Sequence, residues 1–230
     1  MKIVKKVLNK LKLVSDKNKA KSIYAKYKDF TMIDASIYID NLELCNTLQP
    51  ISGCMVECGV WRGGMIAGVY EYCKPKRSLY LFDSFEGLPE IKENDGVAAK
   101  IWQENNNGVG LDNCKAEISF ADKAMEMANS KSHTIVQGWF DKTLPETKIL
   151  EPIAILRLDG DWYDSTMVCL ENLYPLVQEN GLIIIDDYHA WDGCSRAVHD
   201  YLSRNNLPLR ISQTTNGVAY IINTVYGRKF

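Results

Sequence analysis

The apolar positions change period along the chain. Ile37, Leu42, Leu44 and Leu48 fall at helical spacing and stop before Pro50, and Thr31 with Asp34 resembles a capping box ahead of them. Beyond Pro50 come short apolar runs set between helical stretches, at residues 54–58, 79–82, 133–136, 153–158 and 182–185. Strands that alternate with helices in this way predict βαβ units and a parallel sheet covered on both faces. Two final runs, 209–212 and 218–222, flank Asn216-Gly217, a strong hairpin signal. The sheet is therefore expected to finish with an antiparallel pair.

Two segments stand outside this alternation. From Ser84 to about Gly110 the chain is polar and rich in Gly and Asn, with Trp102 almost alone among charges. A connection that long in a compact domain reads first as a lid over a binding site. At the other end, Ile3, Val4, Val7, Leu8 and Leu11 fall at helical spacing among lysines. Ten lysines against Asp16 give residues 1–28 a charge of +9; the whole chain is −2, so residues 29–230 carry −11. Residues 1–30 thus form a basic amphipathic segment, and residues 31–230 one domain. A solvated helix docked on the domain or on a second subunit is the preferred reading, with peripheral contact to an anionic membrane as the sharper one. The acidic remainder opposes a nucleic-acid partner.

Composition narrows the class. At 230 residues, 46% hydrophobic and 24% charged, the chain is no disordered protein. No run of about eighteen apolar residues exists to span a membrane, and the start lacks a secretory signal pattern. Seven cysteines with no CxxC pair argue against disulfides or a zinc site and for a reducing, cytoplasmic setting.

Candidate chemistry gathers where the apolar runs end. The first leads into Glu57-Cys-Gly59-Val-Trp-Arg-Gly63-Gly64, a strand-to-helix turn that lets backbone approach a ligand. Its spacing is not that of a dinucleotide site, and Glu57 suits an ammonium group better than a pyrophosphate. The second run ends in Asp83, placed to accept bonds from ribose hydroxyls or to cap the next element. The third delivers Gly138-Trp139-Phe140, aromatics that could sandwich a purine or belong to the core. Two later runs stop in Asp159-Gly-Asp161 and Asp186-Asp187. Adjacent parallel strands lie about 4.8 Å apart, so these carboxylates can converge. Hard oxygen donors without Cys or His spacing suit Mg²⁺, Ca²⁺ or Mn²⁺. His189 follows the paired aspartates and would face the same crevice, while Arg62 and Arg157 could contact an anion or pair with nearby acids.

Taken together, these stretches resemble the macrocin O-methyltransferase (TylF-type) family. The likeness rests on Val56-Glu-Cys-Gly-Val-Trp-Arg-Gly-Gly64, Leu81-Phe-Asp-Ser-Phe-Glu-Gly-Leu-Pro89 and Gly138-Trp-Phe-Asp-Lys-Thr-Leu-Pro145. It continues through Leu156-Arg-Leu-Asp-Gly-Asp-Trp-Tyr-Asp-Ser-Thr166 and Gly181-Leu-Ile-Ile-Ile-Asp-Asp-Tyr188, in the family's order, from residue 31 to about 223. The resemblance implies an α/β, Rossmann-like class I methyltransferase fold: a mostly parallel seven-stranded sheet with an antiparallel C-terminal hairpin and helices on both faces. It implies S-adenosylmethionine as methyl donor and a sugar, glycosylated or phenolic hydroxyl as acceptor. Carried over residue by residue, Glu57 and Gly59 would meet the methionine end, Asp83 the ribose, Ser84 the adenosine, and Gly138 and Trp139 the adenine. Asp159, Asp186 and Asp187 would bind Mg²⁺ or Mn²⁺. Asp161 would be the general base, with His189 the other candidate for that role. The family also implies a homo-oligomer. Two other classes compete: an NAD-linked oxidoreductase, opposed by Glu57 and the missing glycine motif, and a non-catalytic binding protein tethered by its basic helix.

Overall fold

Seven strands carry the molecule, and their burial explains their sequences. The computed structural model describes residues 16–47, 51–73, 77–106 and 114–224; the apolar positions 3–11 of the basic segment lie outside them. Helix α1 (16–27) and helix α2 (Ala35–Thr47) precede β1 (Cys54–Cys58), followed by α3 (Gly64–Cys73) and β2 (Leu79–Asp83). Helices α4 (Gly96–Asn106) and α5 (Ile118–Met127) lead to β3 (His133–Gln137), α6 (Phe140–Glu146), β4 (Ile153–Leu158) and α7 (Tyr163–Leu173). The chain closes with β5 (Val177–Ile185), α8 (Asp192–Arg204), β6 (Ile211–Gln213) and β7 (Ala219–Ile222).

The sheet order is β3-β2-β1-β4-β5-β7-β6, with β7 antiparallel to both β5 and β6 and the other pairs parallel. This is the architecture expected from the alternating pattern, terminal hairpin included. The central strands β1 and β4 are buried along their whole length, which is why they read as unbroken apolar runs. Alternate residues feed two cores. Met55, Ile155 and Ile184 pack with α1, α2, α3 and α5, while Val56, Leu156 and Ile183 pack with α6, α7 and α8.

Register then sets the site. Glu57 lies beside Leu81 on one neighbour and Arg157 on the other, and Leu158 pairs with Ile185. Asp159 and Asp186 therefore leave adjacent strands at the same level.

One expectation needs revision, and one connection gains detail. Thr31 and Asp34 do not form a capping box, because α2 starts only at Ala35; the Thr31 hydroxyl instead accepts a bond from the Ile33 N–H two residues on (3.2 Å). Within the connection expected to serve as a lid, residues 84–106 include a short 3₁₀ turn (Glu93–Asp95) and α4.

The close crossing of α2 and α3 depends on Gly68. A Cβ there would lie 1.7 Å from the Tyr38 hydroxyl, which donates to the Gly64 carbonyl at 2.8 Å. Gly68→Ala should lower unfolding stability by about 1–3 kcal/mol through overpacking, despite alanine's better helix propensity. Urea denaturation checks this, and unchanged stability would contradict the crossing.

Candidate active site

A cavity of about 1280 Å³ opens at the C-terminal edge of the parallel strands, where ligands bind in open α/β sheets. Its wall includes Glu57, Gly59, Asp83 and Ser84 from β1, β2 and the turns after them. Asp159, Asp161, Asp186 and Asp187 line it from the other half. Gly59 sits at φ +86°, and a Cβ there would come within 1.7 Å of the Asp159 carbonyl, so only glycine lets the two strand ends meet.

One guanidinium organises the floor. Arg157 is 1% exposed, and its Nη1 lies 2.9 Å from Glu57 Oε1 and 2.7 Å from Asp159 Oδ2. Its Nη2 lies 2.6 Å from Asp186 Oδ1. Of the two readings open to Arg157, pairing with acids is therefore the observed one. Glu57 keeps its second oxygen, Oε2, buried without a hydrogen-bond partner. Burial pushes the Glu57 carboxyl up to about 8, with Arg157 opposing the rise and Asp159 adding to it.

Beside this fork, carboxylate oxygens of Asp159, Asp161 and Asp187 lie within 4.8 Å of one another. The structure thus brings Asp159 and Asp187 together as expected. The third member of the trio is Asp161, while Asp186 turns one oxygen to Arg157. Crowded acids resist ionisation. Burial, then Asp159, raises Asp161 to about 7; burial raises Asp186 to about 6 and holds Asp187 well above the ordinary range. Asp161 also holds a left-handed backbone (φ +54°), its N–H donating to Asp187 Oδ2 at 3.0 Å. A non-glycine residue kept there is strained, a feature that concentrates at functional sites.

The other expected residues divide. Asp83 Oδ2 accepts from the Val60 and Trp61 N–H groups, both at 2.7 Å, and Oδ1 accepts from the Phe85 N–H at 2.6 Å. It caps both turns and is part of the cavity wall. The Ser84 hydroxyl accepts from the Glu86 N–H at 3.0 Å. Trp139 and Phe140 both line the cavity, Trp139 as an exposed part of the wall and Phe140 while also packing against the core. Gly138 is not on the wall; its N–H ties β3 to the Asp83 carbonyl (2.9 Å). His189 is exposed at the rim, its ring edge-on to Tyr188 at 4.9 Å.

Sequence reasoning missed how the 84–106 segment is fastened. Asp95, 2% exposed, accepts from the Tyr163 N–H at the start of α7 (2.8 Å), and Asp192 accepts from the Val97 and Ala98 N–H groups at the start of α4 (3.1 and 3.3 Å). Trp102, Trp162 and Trp191 form an edge-to-face cluster with centroids 5.1–6.2 Å apart. The cap on α4 comes from Asp192, about ninety-five positions away, so no local signal marked the start of that helix.

With this geometry in hand, comparison with known proteins is decisive. A family model described as macrocin-O-methyltransferase (TylF) matches residues 7–221. The chain belongs to the macrocin O-methyltransferase (TylF) family. Among its relatives is the 8-demethyl-8-(2,3-dimethoxy-alpha-L-rhamnosyl)-tetracenomycin-C 4'-O-methyltransferase of Streptomyces olivaceus, 36% identical over 76% of this chain and 69% of that protein. Demethyldecarbamoylnovobiocin O-methyltransferase of Streptomyces niveus is 35% identical over 67% of this chain and 60% of its own length. The solved structure of the O-methyltransferase NovP superposes with a TM-score of 0.69 at 29% identity, covering 85% of this chain and 82% of that one. This TylF-family member is an S-adenosylmethionine-dependent O-methyltransferase with the Rossmann-like fold of that class.

The raised carboxyls make a signed claim about stability. Their folded-state values exceed the unfolded ones, so they favour folding fully below about pH 4 and lose that contribution as pH climbs through 6, 7 and 8. In EDTA, the thermal midpoint of this TylF-family enzyme should fall between about pH 5 and pH 8, and Asp161→Asn should shrink the fall. A midpoint that rises across that window in both proteins would contradict the cluster's electrostatics.

Proposed function

We propose that this enzyme methylates a hydroxyl of a sugar on a glycosylated metabolite, with a divalent cation, Mg²⁺ or Mn²⁺, held by the acidic cluster. The observation that carries the reading is the meeting, in one cavity, of three converging carboxylates with an unpartnered buried oxygen on Glu57. The rhamnosyl acceptor in one relative's name supports a sugar as the acceptor class.

The residues fit both groups. Glu57 Oε2 is a buried acceptor at the cavity wall, suited to an ammonium group of the donor's methionine end. Asp83 would accept from a ribose hydroxyl, and Ser84 and Trp139 would border the nucleoside. The donor set of Asp159 and Asp187, joined by Asp186, is all hard oxygen, the donor type that Mg²⁺ and Mn²⁺ prefer. When bound, S-adenosylmethionine supplies an activated methyl group, and the cation supplies a Lewis acid that lowers the pKa of an alcohol.

Asp161 is the base in this reading. It is half-buried next to the proposed ligands, and a value near 7 suits proton transfer at neutral pH. Its carboxylate takes the proton that the acceptor hydroxyl loses. His189, exposed at the rim, lacks that placement. The anchored 84–106 segment roofs the acceptor side and excludes water.

Incubation with S-adenosylmethionine and a panel of glycosylated metabolites, followed by mass spectrometry, tests this. One methyl should be gained in Mg²⁺ and none in EDTA; equal turnover in both removes the cation from the reading. Asp187→Ala should abolish turnover while keeping S-adenosylhomocysteine affinity. Asp161→Asn should bind both ligands yet turn over about 10²–10⁴-fold more slowly, the usual worth of a general base. Loss of cation binding in Asp161→Asn would instead move Asp161 into the ligand set.

A further inference from the structure

Three indoles cluster beside Asp161's turn, and only one of them bonds to its carboxylate. Trp162 is almost fully buried and donates its Nε1–H to the Pro89 carbonyl at 2.9 Å, an ordinary way to satisfy a buried indole. Trp191 donates its Nε1–H to Asp161 Oδ1 at 2.8 Å. It reaches that carboxylate from the turn just ahead of α8, thirty residues away. Trp191 is held edge-to-face by Trp162 at 5.1 Å and by Trp102 at 6.2 Å. Its chain neighbour Asp192 caps α4, the helix that carries Trp102. A donor fixed from two sides thus meets a carboxylate whose backbone is fixed by Asp187.

We propose that Trp191 is the positioning residue of the base: its indole N–H aims the Asp161 carboxylate, and the cluster with Trp102 and Trp162 ties that aim to the seating of the 84–106 segment. This rests on the reading of Asp161 as base. The backbone bond from Asp161 to Asp187 fixes where the residue stands, while the bond from Trp191 fixes which way its side chain points. A charged acceptor held by one neutral donor loses its orientation when that donor is removed, even if the ring that carried it is replaced. Because catalytic groups must be held within fractions of an ångström, the loss should appear in turnover and not in binding.

The test is Trp191→Phe, which keeps an aromatic ring and deletes the N–H. Turnover should fall about 10- to 100-fold, the worth of one hydrogen bond to a charged group, while S-adenosylhomocysteine affinity and the acceptor KM stay near wild type. Trp191→His, which restores a ring N–H, should recover part of the loss and serves if the Phe variant folds poorly. In an Asp161→Asn background, Trp191→Phe should cost nothing further, because the residue acts through Asp161. Wild-type turnover in Trp191→Phe overturns the proposal. So does an equal loss in both backgrounds, which would mark a role in packing alone. Near-normal turnover of Asp161→Asn by itself would sink the base reading. A slow Asp161→Asn with an unimpaired Trp191→Phe would sink only the positioning role.

Discussion

Burying a guanidinium among three carboxylates is the constraint on which this site is built. Arg157 stands in a strand that is otherwise apolar, and moving its charge out of water is costly unless partners surround it. Glu57 on the adjacent strand and Asp159 and Asp186 at two strand ends supply those partners. The parallel register of β1, β4 and β5 places all of them at one level, so sheet geometry and electrostatics specify each other. Taking away one carboxylate still leaves Arg157 two partners, whereas taking away Arg157 leaves the buried Glu57 without its cation, typically a cost of about 3–5 kcal/mol. The same fork separates the two halves of the cavity, with the proposed donor side at Glu57 and the proposed cation side at Asp159 and Asp186.

Around the fork, negative charge exceeds positive, and the excess is where chemistry becomes available. Asp161 and Asp187 are packed beside Asp159 with no Arg or Lys partner of their own among the described ion pairs. The structure holds them there with backbone strain at Asp161, indole donation from Trp191 and the crossed caps of Asp95 and Asp192. These supports come from the inserted segment and from α8, elements that an unadorned sheet would not need. Keeping these acids close costs stability, since like charges and burial both oppose their ionisation.

Much of the architecture was legible in the residues. Buried parallel strands such as β1 and β4 announce themselves as short apolar runs, and Asn216-Gly217 announces the terminal hairpin. The carboxylates at the ends of β4 and β5 were readable because two acidic clusters follow two apolar runs that read as neighbouring strands. Other features were not legible, for physical reasons. Helix α4 is capped by Asp192 and anchored by Trp102, both through distant partners, while its own composition is polar. Arg157 could be flagged as a charge in a buried strand, but its three partners depend on register. That Trp139 and Phe140 both reach the cavity wall while Gly138 does not follows from three-dimensional placement alone.

The account stands or falls on whether the crowded carboxylates exchange protons for a cation. Calorimetric titration of Mg²⁺ into the enzyme saturated with S-adenosylhomocysteine, near neutral pH and in two buffers of different ionisation heat, measures this directly. Saturable binding at one site with net release of protons is the expected result. Absence of saturable binding, or binding without proton release, would contradict it.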